Sequence, residues 1–378
     1  MKRTLNIIIM LFFMVILLLP TLSEIIPVFP VIESAENREM KSFPEISYAK
    51  LDSFPQGFDD YYSDNFIVRD HLLRLNGKIK FQWFYIPPHQ GKAFMGRQGW
   101  MYAVKDEMDI YLGNNIFTED TLQRFVDILK YRNHILDSLH CKYYFVIVPI
   151  KTTIYPEYLP LSKIKSNQRT LTDQIVTELG KYSNINLIDL RGEMIDQKGA
   201  NRLYYKTDNH WNEFGGYVAY RIIMEYLNRD FPDLNPIDIS EFDIVTSEVE
   251  GKMLTNLMGI IGEVSEIDIS LVPKFEKEAS EGEESNYPVP GYFPYKDSYE
   301  RVYLTNNSEQ PKLLMIHDSF GSTLIPFLSE HFSKSVFIFD GWQHAFNEEI
   351  VLNEKPDIYI QLVVESLLPN IPKNAEKP

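Results

Sequence analysis

Short runs of apolar residues alternate with amphipathic segments from about residue 118 to the end of the chain. A continuous apolar run such as 143–148 predicts a strand covered on both faces. Strands are predicted at 143–148, 185–190, 313–316, 336–339 and 358–363. Between them, polar caps and helical spacing predict helices at 119–139, 166–179, 213–228 and 321–331. This alternation predicts an α/β fold, a three-layer sandwich around a mostly parallel sheet. Ligands bind such sheets at the carboxyl ends of the strands.

The N-terminus carries a signal about membrane topology. Lys2 and Arg3 precede an apolar run at 7–19, which Pro20 ends. This charge pattern is typical of a secretory signal or a short signal-anchor, and it leaves the two cations in the cytoplasm. No small-x-small cleavage site follows, so we predict a retained signal-anchor, an N-terminal membrane segment, at 1–24 and a tether at 25–50. The rest is predicted to lie outside the cytoplasm, anchored to the cell membrane by a single pass, or secreted if the segment is cleaved.

The remainder of the chain is predicted to form one domain at 51–370. Its first part, 51–90, has aromatic residues at helical spacing, and 96–102 reads as a turn that leads into a strand. Residues 230–311 interrupt the α/β alternation, and the stretch 263–300 is acidic and rich in Ser, Pro and Tyr. We interpret 230–311 as a long insertion, either a solvated surface loop or a lid, within the same domain.

Composition narrows the functional class. The hydrophobic fraction of 44% and the aromatic fraction of 13% are those of a folded protein. The net charge of −16 argues against nucleic-acid binding, because phosphate contacts need clustered Lys and Arg. The single cysteine, Cys141, excludes an internal disulfide and a multi-cysteine metal site, and its place before a strand suggests a core residue. No metal ion or other cofactor is predicted.

The segment 316–321 (Ile-His-Asp-Ser-Phe-Gly) joins a predicted strand directly to a predicted helix. Ser319 is therefore expected at the carboxyl edge of the sheet, with its backbone N–H at a helix N-terminus. Partial positive charge at that position stabilises a developing oxyanion. The arrangement suits a serine nucleophile; the alternative is that Ser319 is only a helix N-cap.

A second segment, 204–212, contains Asp208 and His210. Residues two apart in an extended segment project to the same side, so Asp208 can orient the imidazole of His210. A serine hydroxyl needs a base to take its proton, and that base needs an orienting carboxylate. The two segments together predict a catalytic triad of Ser319, His210 and Asp208. The alternative is that Asp208 and His210 only satisfy loop backbone; the other histidines show no spacing that would complete a metal site with them.

Several segments resemble one known family. The segment 207–212, followed by 215–220, resembles the signature of the alginate O-acetyltransferase (AlgJ/AlgX-like) family, whose members carry an SGNH-hydrolase-like domain. The block 317–321 with 326–328 resembles the nucleophile block of that family. Similar segments lie at 99–102, 148–151, 155–157 and 355–357, so the resemblance covers about residues 50–370 in consistent order. In that family the Asp-x-His block precedes the serine, as it does here.

The resemblance implies that the 51–370 domain is an SGNH-hydrolase-like catalytic domain with serine-dependent O-acetyltransferase activity. The acetyl group would pass through an acyl-Ser319 intermediate to hydroxyls of an exported cell-surface or extracellular polysaccharide. A separate membrane-bound O-acyltransferase would supply the acetyl group. Because like charges repel, the net charge of −16 disfavours an acidic acceptor such as alginate and favours a neutral or differently charged glycan.

The motifs leave the oxyanion donors and the substrate contacts open. Candidates for these roles are Asp318, Lys151, Tyr102, Arg97 and Trp211; for Lys151, Tyr102 and Arg97 the alternative is a structural role. His317, beside the nucleophile turn, could contact substrate or simply fill the turn. Two other functions remain open: a glycan acyl-esterase that uses the same triad with water as acceptor, and a non-catalytic glycan-binding or assembly protein.

Overall fold

The computed structural model describes residues 2–25, 41–65, 69–84, 91–104, 107–163, 169–199, 201–291, 293–340 and 343–374. The helices are α1 (Lys2–Ile25), α2 (Phe54–Asn65), α3 (Arg69–Phe84), α4 (Glu107–Leu112), α5 (Glu119–Ser138), α6 (Lys151–Ile154), α7 (Leu171–Leu179), α8 (Arg191–Gln197), α9 (Glu213–Leu227), α10 (Met253–Met258), α11 (Ile325–Leu328), α12 (Glu348–Glu354) and α13 (Ile371–Asn374). The strands are β1 (Ala93–Met95), β2 (Met101–Ala103), β3 (Lys142–Val148), β4 (Asn186–Asp189), β5 (Phe242–Glu250), β6 (Ser265–Pro273), β7 (Ser280–Glu281), β8 (Glu300–Leu304), β9 (Lys312–His317), β10 (Lys334–Phe339) and β11 (Ile358–Val364).

A seven-stranded sheet, in the order β4-β3-β11-β9-β10-β8-β7, forms the centre of the fold. The strands from β4 to β10 pair in parallel. β8 then runs antiparallel to β10, and β7 antiparallel to β8. Every residue of β11 is buried, and successive side chains of a strand point to opposite faces, so both faces of the sheet are covered. The predicted α/β class is confirmed, but the sheet is mixed at one edge.

The residues of β7 and β8 lie within 230–311, the stretch interpreted above as an insertion. They extend the sheet, because β8 pairs with β10 over residues Glu300–Leu304. Two further strands of this stretch, β5 and β6, form a separate two-stranded sheet. This part of the chain therefore contributes regular structure next to the parallel strands.

Local signals explain where several helices begin. Thr118 and Asn212 cap α5 and α9 by accepting hydrogen bonds from backbone N–H groups, as their sequence positions predict. The helix predicted at 166–179 begins at Leu171, after a capping box formed by Thr170 and Asp173; residues 164–168 lie outside the described residues.

The helix predicted at 321–331 is interrupted. A 3₁₀ turn at Gly321–Leu324 precedes α11, and another 3₁₀ turn at Ser329–His331 follows it. Pro326 has no N–H to donate, so it suits the first turn of a new helix better than the interior of a long one.

The chain divides into two compact units, Met1–Ala93 with Glu250–Val264, and Phe94–Val249 with Ser265–Pro378. The first contains α1, α2, α3 and α10, and an aromatic cluster in which Phe43 meets Phe58 and Tyr61 edge-on at 6.0 and 5.2 Å. Across the described residues, no helix combines the length and the apolar character needed to cross a membrane. Of the predicted tether, 26–40 lies outside the described residues.

Candidate active site

Parallel strands bring three chain segments to one edge of the sheet. β9 ends at His317, and Asp318 and Ser319 follow immediately. The neighbouring β11 ends at Val364, and β3, on the far side of β11, is followed within three residues by Lys151. The carboxyl ends of parallel strands meet at the same edge. The Ser319 side chain is exposed there.

Ser319, His210 and Asp208 form a continuous chain of hydrogen bonds. The distance from Ser319 Oγ to His210 Nε2 is 2.7 Å, and that from His210 Nδ1 to Asp208 Oδ1 is also 2.7 Å. A carboxylate can only accept, so Nδ1 carries the proton of the neutral imidazole and Nε2 accepts from the serine hydroxyl. The arrangement is that of a nucleophile, a general base and an orienting acid.

The electrostatics of Asp208 fit the role of orienting acid. Its side chain is 13% exposed and that of His210 is 29% exposed. Burial alone would raise the pKa of Asp208, but the His210 ring and backbone N–H, with the nearby Lys151, hold the pKa below its ordinary value. Asp208 therefore stays ionised at neutral pH and can stabilise an imidazolium ion next to it.

The segment 205–210 is a tight loop and not the extended segment predicted. Tyr204 and Trp211 pair across its base, and Tyr205 N–H donates to His210 O at 3.2 Å. Within the loop, His210 N–H donates to Asp208 Oδ1 at 3.1 Å, an Asx-type turn. The prediction that Asp208 can reach His210 was correct in its outcome, but the reason was wrong: a turn, and not strand alternation, brings them together.

The turn that carries Ser319 is fixed by its neighbour Asp318. This side chain is 1% exposed, and its two oxygens accept hydrogen bonds from Phe320 N–H at 2.9 Å and Val364 N–H at 2.7 Å. The Asp318 carboxylate thus links the turn to the end of β11 by hydrogen bonds. Burial raises the pKa of Asp318 to about 6, although both N–H groups oppose the increase. Its acceptor bonds go to the protein backbone, so the structure gives this residue a different role from the substrate contact considered above.

Gly321 is required for the close packing of the same turn. A Cβ atom at this position would lie 2.4 Å from His317 Cβ, and Gly321 N–H donates to Asp318 O at 3.0 Å. Phe320, between Ser319 and Gly321, packs its ring 4.7 Å from the imidazole of His210. Among the described residues, the backbone N–H of Ser319 has no hydrogen-bond partner, so it is a donor that this turn leaves for an oxyanion.

The remaining sequence candidates lie elsewhere. Trp211 is buried against the Phe320 ring, and the Tyr102 hydroxyl donates to Tyr155 O at 2.7 Å in the core. The Arg97 guanidinium donates to Glu157 O. Lys151 is fully buried, and its ammonium binds backbone carbonyls of the 205–208 segment. The structure does not place any of these four side chains beside Ser319 as a substrate contact.

A groove of about 480 Å³ opens beside Ser319. Its wall comes largely from the stretch predicted as an insertion and from α11; the lining residues are Tyr295, Ser298, Arg301, Tyr303, His317, Ser319, Ser322, Ile325, Pro326 and Phe339. The rings of Tyr295, Phe339 and His317 are nearly parallel, with interplanar angles of 3° and 9°. Burial lowers the pKa of His317 to about 4, so this ring is neutral. Sequence reasoning missed the groove, because no local motif marks its residues.

Two polar residues behind the loop were also missed. Glu107, the first residue of α4, is buried, and the neighbouring Asn209 side chain helps to limit the rise in the pKa of its carboxyl group. Asn209 had no assigned role from the sequence, although it stands between Asp208 and His210.

In the described part of the chain, no group of three or more His, Cys, Asp or Glu side chains could hold a metal ion.

The fold is that of an SGNH-hydrolase-like α/β protein. The family model described as "SGNH hydrolase-like domain, acetyltransferase AlgX" matches residues 93–289, more than half of the chain, and the chain belongs to this family. The matched range contains Asp208 and His210, whereas Ser319 lies beyond it.

Individual relatives are distant. A probable alginate O-acetylase AlgJ of Pseudomonas aeruginosa is 20% identical over 75% of this chain and 70% of its own length. Another, of Pseudomonas syringae pv. tomato, is 24% identical over 43% of this chain, and the match spans only 39% of that protein. The structure of Bacillus cereus PatB1 with a sulfonyl adduct has 17% identity and a TM-score of 0.52 over 75% of this chain and 99% of that one. At this identity the likeness to PatB1 concerns the fold alone.

Proposed function

We propose that the protein is a polysaccharide O-acetyltransferase that carries the acetyl group on Ser319. One observation supports this most directly: Ser319 Oγ, His210 and Asp208 are joined by two hydrogen bonds of 2.7 Å at the carboxyl edge of the sheet. The family model names an acetyltransferase, AlgX, and two relatives are described as probable alginate O-acetylases. Both findings favour acetyl transfer.

The first half-reaction loads the enzyme. Ser319 Oγ attacks the carbonyl carbon of an acetyl donor while His210 Nε2 takes the hydroxyl proton. The Ser319 N–H is the donor placed to stabilise the oxyanion, and Asp208 stabilises the imidazolium. The tetrahedral intermediate collapses when His210 returns the proton to the departing oxygen, which leaves acetyl-Ser319 and the free alcohol of the donor.

The second half-reaction uses the same groups in reverse. A sugar hydroxyl gives its proton to His210 Nε2 and attacks the acetyl carbonyl. Ser319 Oγ then leaves and regains a proton from His210. Water in place of the sugar would make the protein a glycan acyl-esterase, and the exposed position of Ser319 leaves that route open to experiment.

The groove beside Ser319 is the acceptor site in this proposal. Tyr295 is 52% exposed and presents a ring face supported from behind by Phe339. A sugar ring has an apolar C–H face and a rim of hydroxyls, which matches an aromatic surface bordered by Ser298, Ser322 and Arg301.

We propose further that the enzyme works outside the cytoplasm. Lys2 and Arg3 before the apolar run 7–19 support export and anchoring to the membrane. An exported enzyme has no access to cytoplasmic acetyl donors, so a membrane-bound O-acyltransferase is the partner that would deliver the acetyl group, and the acceptor is an exported glycan.

The test is to trap the acyl-enzyme. Wild type incubated with a chromogenic acetyl ester and then digested should yield a Ser319 peptide carrying one acetyl group. Ser319→Ala and His210→Ala should give none, because loss of a triad member costs several orders of magnitude in rate. Adding candidate oligosaccharides should then move the acetyl group to the sugar. Acetate release without transfer would favour the esterase, and equal behaviour of all three proteins would favour a non-catalytic glycan-binding protein.

A further inference from the structure

A fully buried lysine holds the loop that carries Asp208 and His210. Lys151 has no exposed surface, and its Nζ donates to Tyr205 O and Lys206 O, each at 3.2 Å, and to Asp208 O. An ammonium group has three donors and no acceptor. All three donors therefore form hydrogen bonds with backbone carbonyls of one loop.

Burying an ammonium group is costly unless it is hydrogen-bonded and balanced by opposite charge. Glu107 supplies such a charge from α4: its carboxylate is buried and interacts electrostatically with Lys151. Lys151, His210 and the Asn209 side chain all lower the pKa of this carboxyl group against the effect of burial, while Glu107 Oε2 has no hydrogen-bond partner among the described residues.

We infer that Lys151 is a positioning residue of the candidate triad, and that Glu107 is its buried counter-charge. The inference rests on the proposed function, since positioning matters only if the triad reacts. Lys151 holds the loop by binding the carbonyl oxygens of Tyr205, Lys206 and Asp208. The loop in turn places His210 Nε2 at 2.7 Å from Ser319 Oγ.

The pair also sets the charge around the imidazole. The groups that face Lys151 are Glu107, Asp208, the Arg202–Glu266 ion pair at 2.8 Å, and the rings of Tyr102 and Trp100 at 5.2 and 5.8 Å. Burial lowers the pKa of Lys151 to about 8, and Glu107, Asp208 and Glu266 oppose this. Burial raises the pKa of Glu107 to about 7, and Lys151 and His210 oppose that change. Removing either charge changes the electrostatic field that the loop experiences.

The test compares Lys151→Met, Glu107→Gln and the double variant with wild type in Ser319-dependent hydrolysis of a chromogenic acetyl ester. Lys151→Met should lower kcat by about 10- to 100-fold with little change in KM, because the loop is no longer held in place. Its pH of half-maximal kcat should rise by about half a unit or more, since loss of a positive charge favours the imidazolium. Glu107→Gln should move that pH the opposite way.

The double variant separates charge from positioning: it should return the pH of half-maximal kcat toward wild type without restoring kcat. Lys198→Met is the matched control, because Lys198 Nζ also donates to a carbonyl, Ile154 O at 2.7 Å, outside the 205–208 segment; it should leave kcat and the pH profile unchanged. Titration with a serine-directed probe gives the fraction of folded sites, by which every kcat is normalised.

Two results would overturn the inference while leaving the acetyltransferase proposal intact. One is a normalised kcat and pH profile of Lys151→Met equal to those of wild type. The other is an unshifted pH profile in Glu107→Gln, which decides the matter alone if Lys151→Met does not fold. By contrast, wild type without any Ser319-dependent turnover would refute the proposed function itself.

Discussion

Asp208 and Asp318 are two buried aspartates at the same edge of the sheet, and their surroundings differ. The Asp208 carboxylate accepts a hydrogen bond from an imidazole that can take up a proton. The Asp318 carboxylate accepts hydrogen bonds from the backbone N–H groups of Phe320 and Val364, and these groups cannot take up a proton. His210 and Lys151 lower the pKa of Asp208, whereas burial raises that of Asp318 to about 6.

The difference shows that nearness to the nucleophile in sequence does not decide which acid serves it. Asp318 is the covalent neighbour of Ser319, yet its carboxylate points back into the fold and fastens the turn to β11. Asp208 lies 111 positions before Ser319 and reaches the reaction only through His210. One aspartate sets the position of the nucleophile, and the other sets the protonation of its base.

The largest expected effect comes from Asp208→Asn, which should lower kcat for acetyl-ester hydrolysis by about 10⁴-fold. An amide carries no charge to stabilise the imidazolium, and its N–H₂ group favours the wrong imidazole tautomer. Steady-state kinetics with a chromogenic ester measures the loss. Asp318→Asn is the matched control, and we expect it to keep most of its kcat per folded site. Similar losses of kcat in Asp208→Asn and Asp318→Asn would show that the two aspartates do not differ in function.

A second prediction concerns stability against pH, where the two aspartates act with opposite sign. A folded-state pKa of about 6 against 3.8 for Asp318 means that the folded protein binds more protons between those values. Its contribution to stability therefore falls as pH rises from about 4 to about 6, by at most about 3 kcal/mol. Asp208, with a lowered pKa, contributes stability that is lost only as pH falls below its ordinary value.

The measurement is the free energy of unfolding of wild type and Asp318→Asn by chemical denaturation from pH 4 to 7. The variant loses one accepted N–H bond and the titrating group, so the difference between the two proteins should shrink or reverse as pH rises. Glu107 and Glu365 also have raised pKa values, but both proteins contain them, so their effect cancels. Parallel curves would show that Asp318 does not titrate in this range.

Much of the fold could be predicted because its central strands are continuous apolar runs, and such runs leave few alternatives. The strands β5 and β8 could not: β8 begins with Glu300 and Arg301, and most of β5 is exposed, so neither shows a buried-strand pattern. Their pairing depends on tertiary neighbours that the local sequence does not reveal. The helix after Ser319 was predicted as one element, although Pro326, which divides it, is visible in the sequence.

The candidate triad was predictable because its residues lie in two short segments. Asp208 and His210 are two positions apart in one, and Ser319 stands between a predicted strand and a predicted helix in the other. The groove and Glu107 were not, since their roles depend on segments that meet only in the folded chain. Tyr295 is brought to Phe339 and Ser319 by the pairing of β8 with β10. Lys151 was noticed in the sequence as a candidate for a substrate contact or a structural role, and its burial decides for the second, which cannot be read from a lone lysine after a strand.

The smallest kinetic effect is expected from Tyr295→Ala, because this change should leave the functions of Asp208 and Asp318 intact. Loss of an exposed stacking face removes roughly 1 kcal/mol of acceptor binding, so KM for an oligosaccharide acceptor should rise about three- to tenfold. Hydrolysis of a small acetyl ester should stay at the wild-type value, because Tyr295 contacts neither Asp208 nor the Asp318 turn. The free energy of unfolding should fall by only about 1 kcal/mol, since the half-exposed ring packs on Phe293 and Phe339. Tyr226→Ala, whose ring packs on Arg229 outside the groove, is the control. A loss of ester hydrolysis in Tyr295→Ala equal to its loss of transfer would show that the groove serves the acyl group and not the sugar.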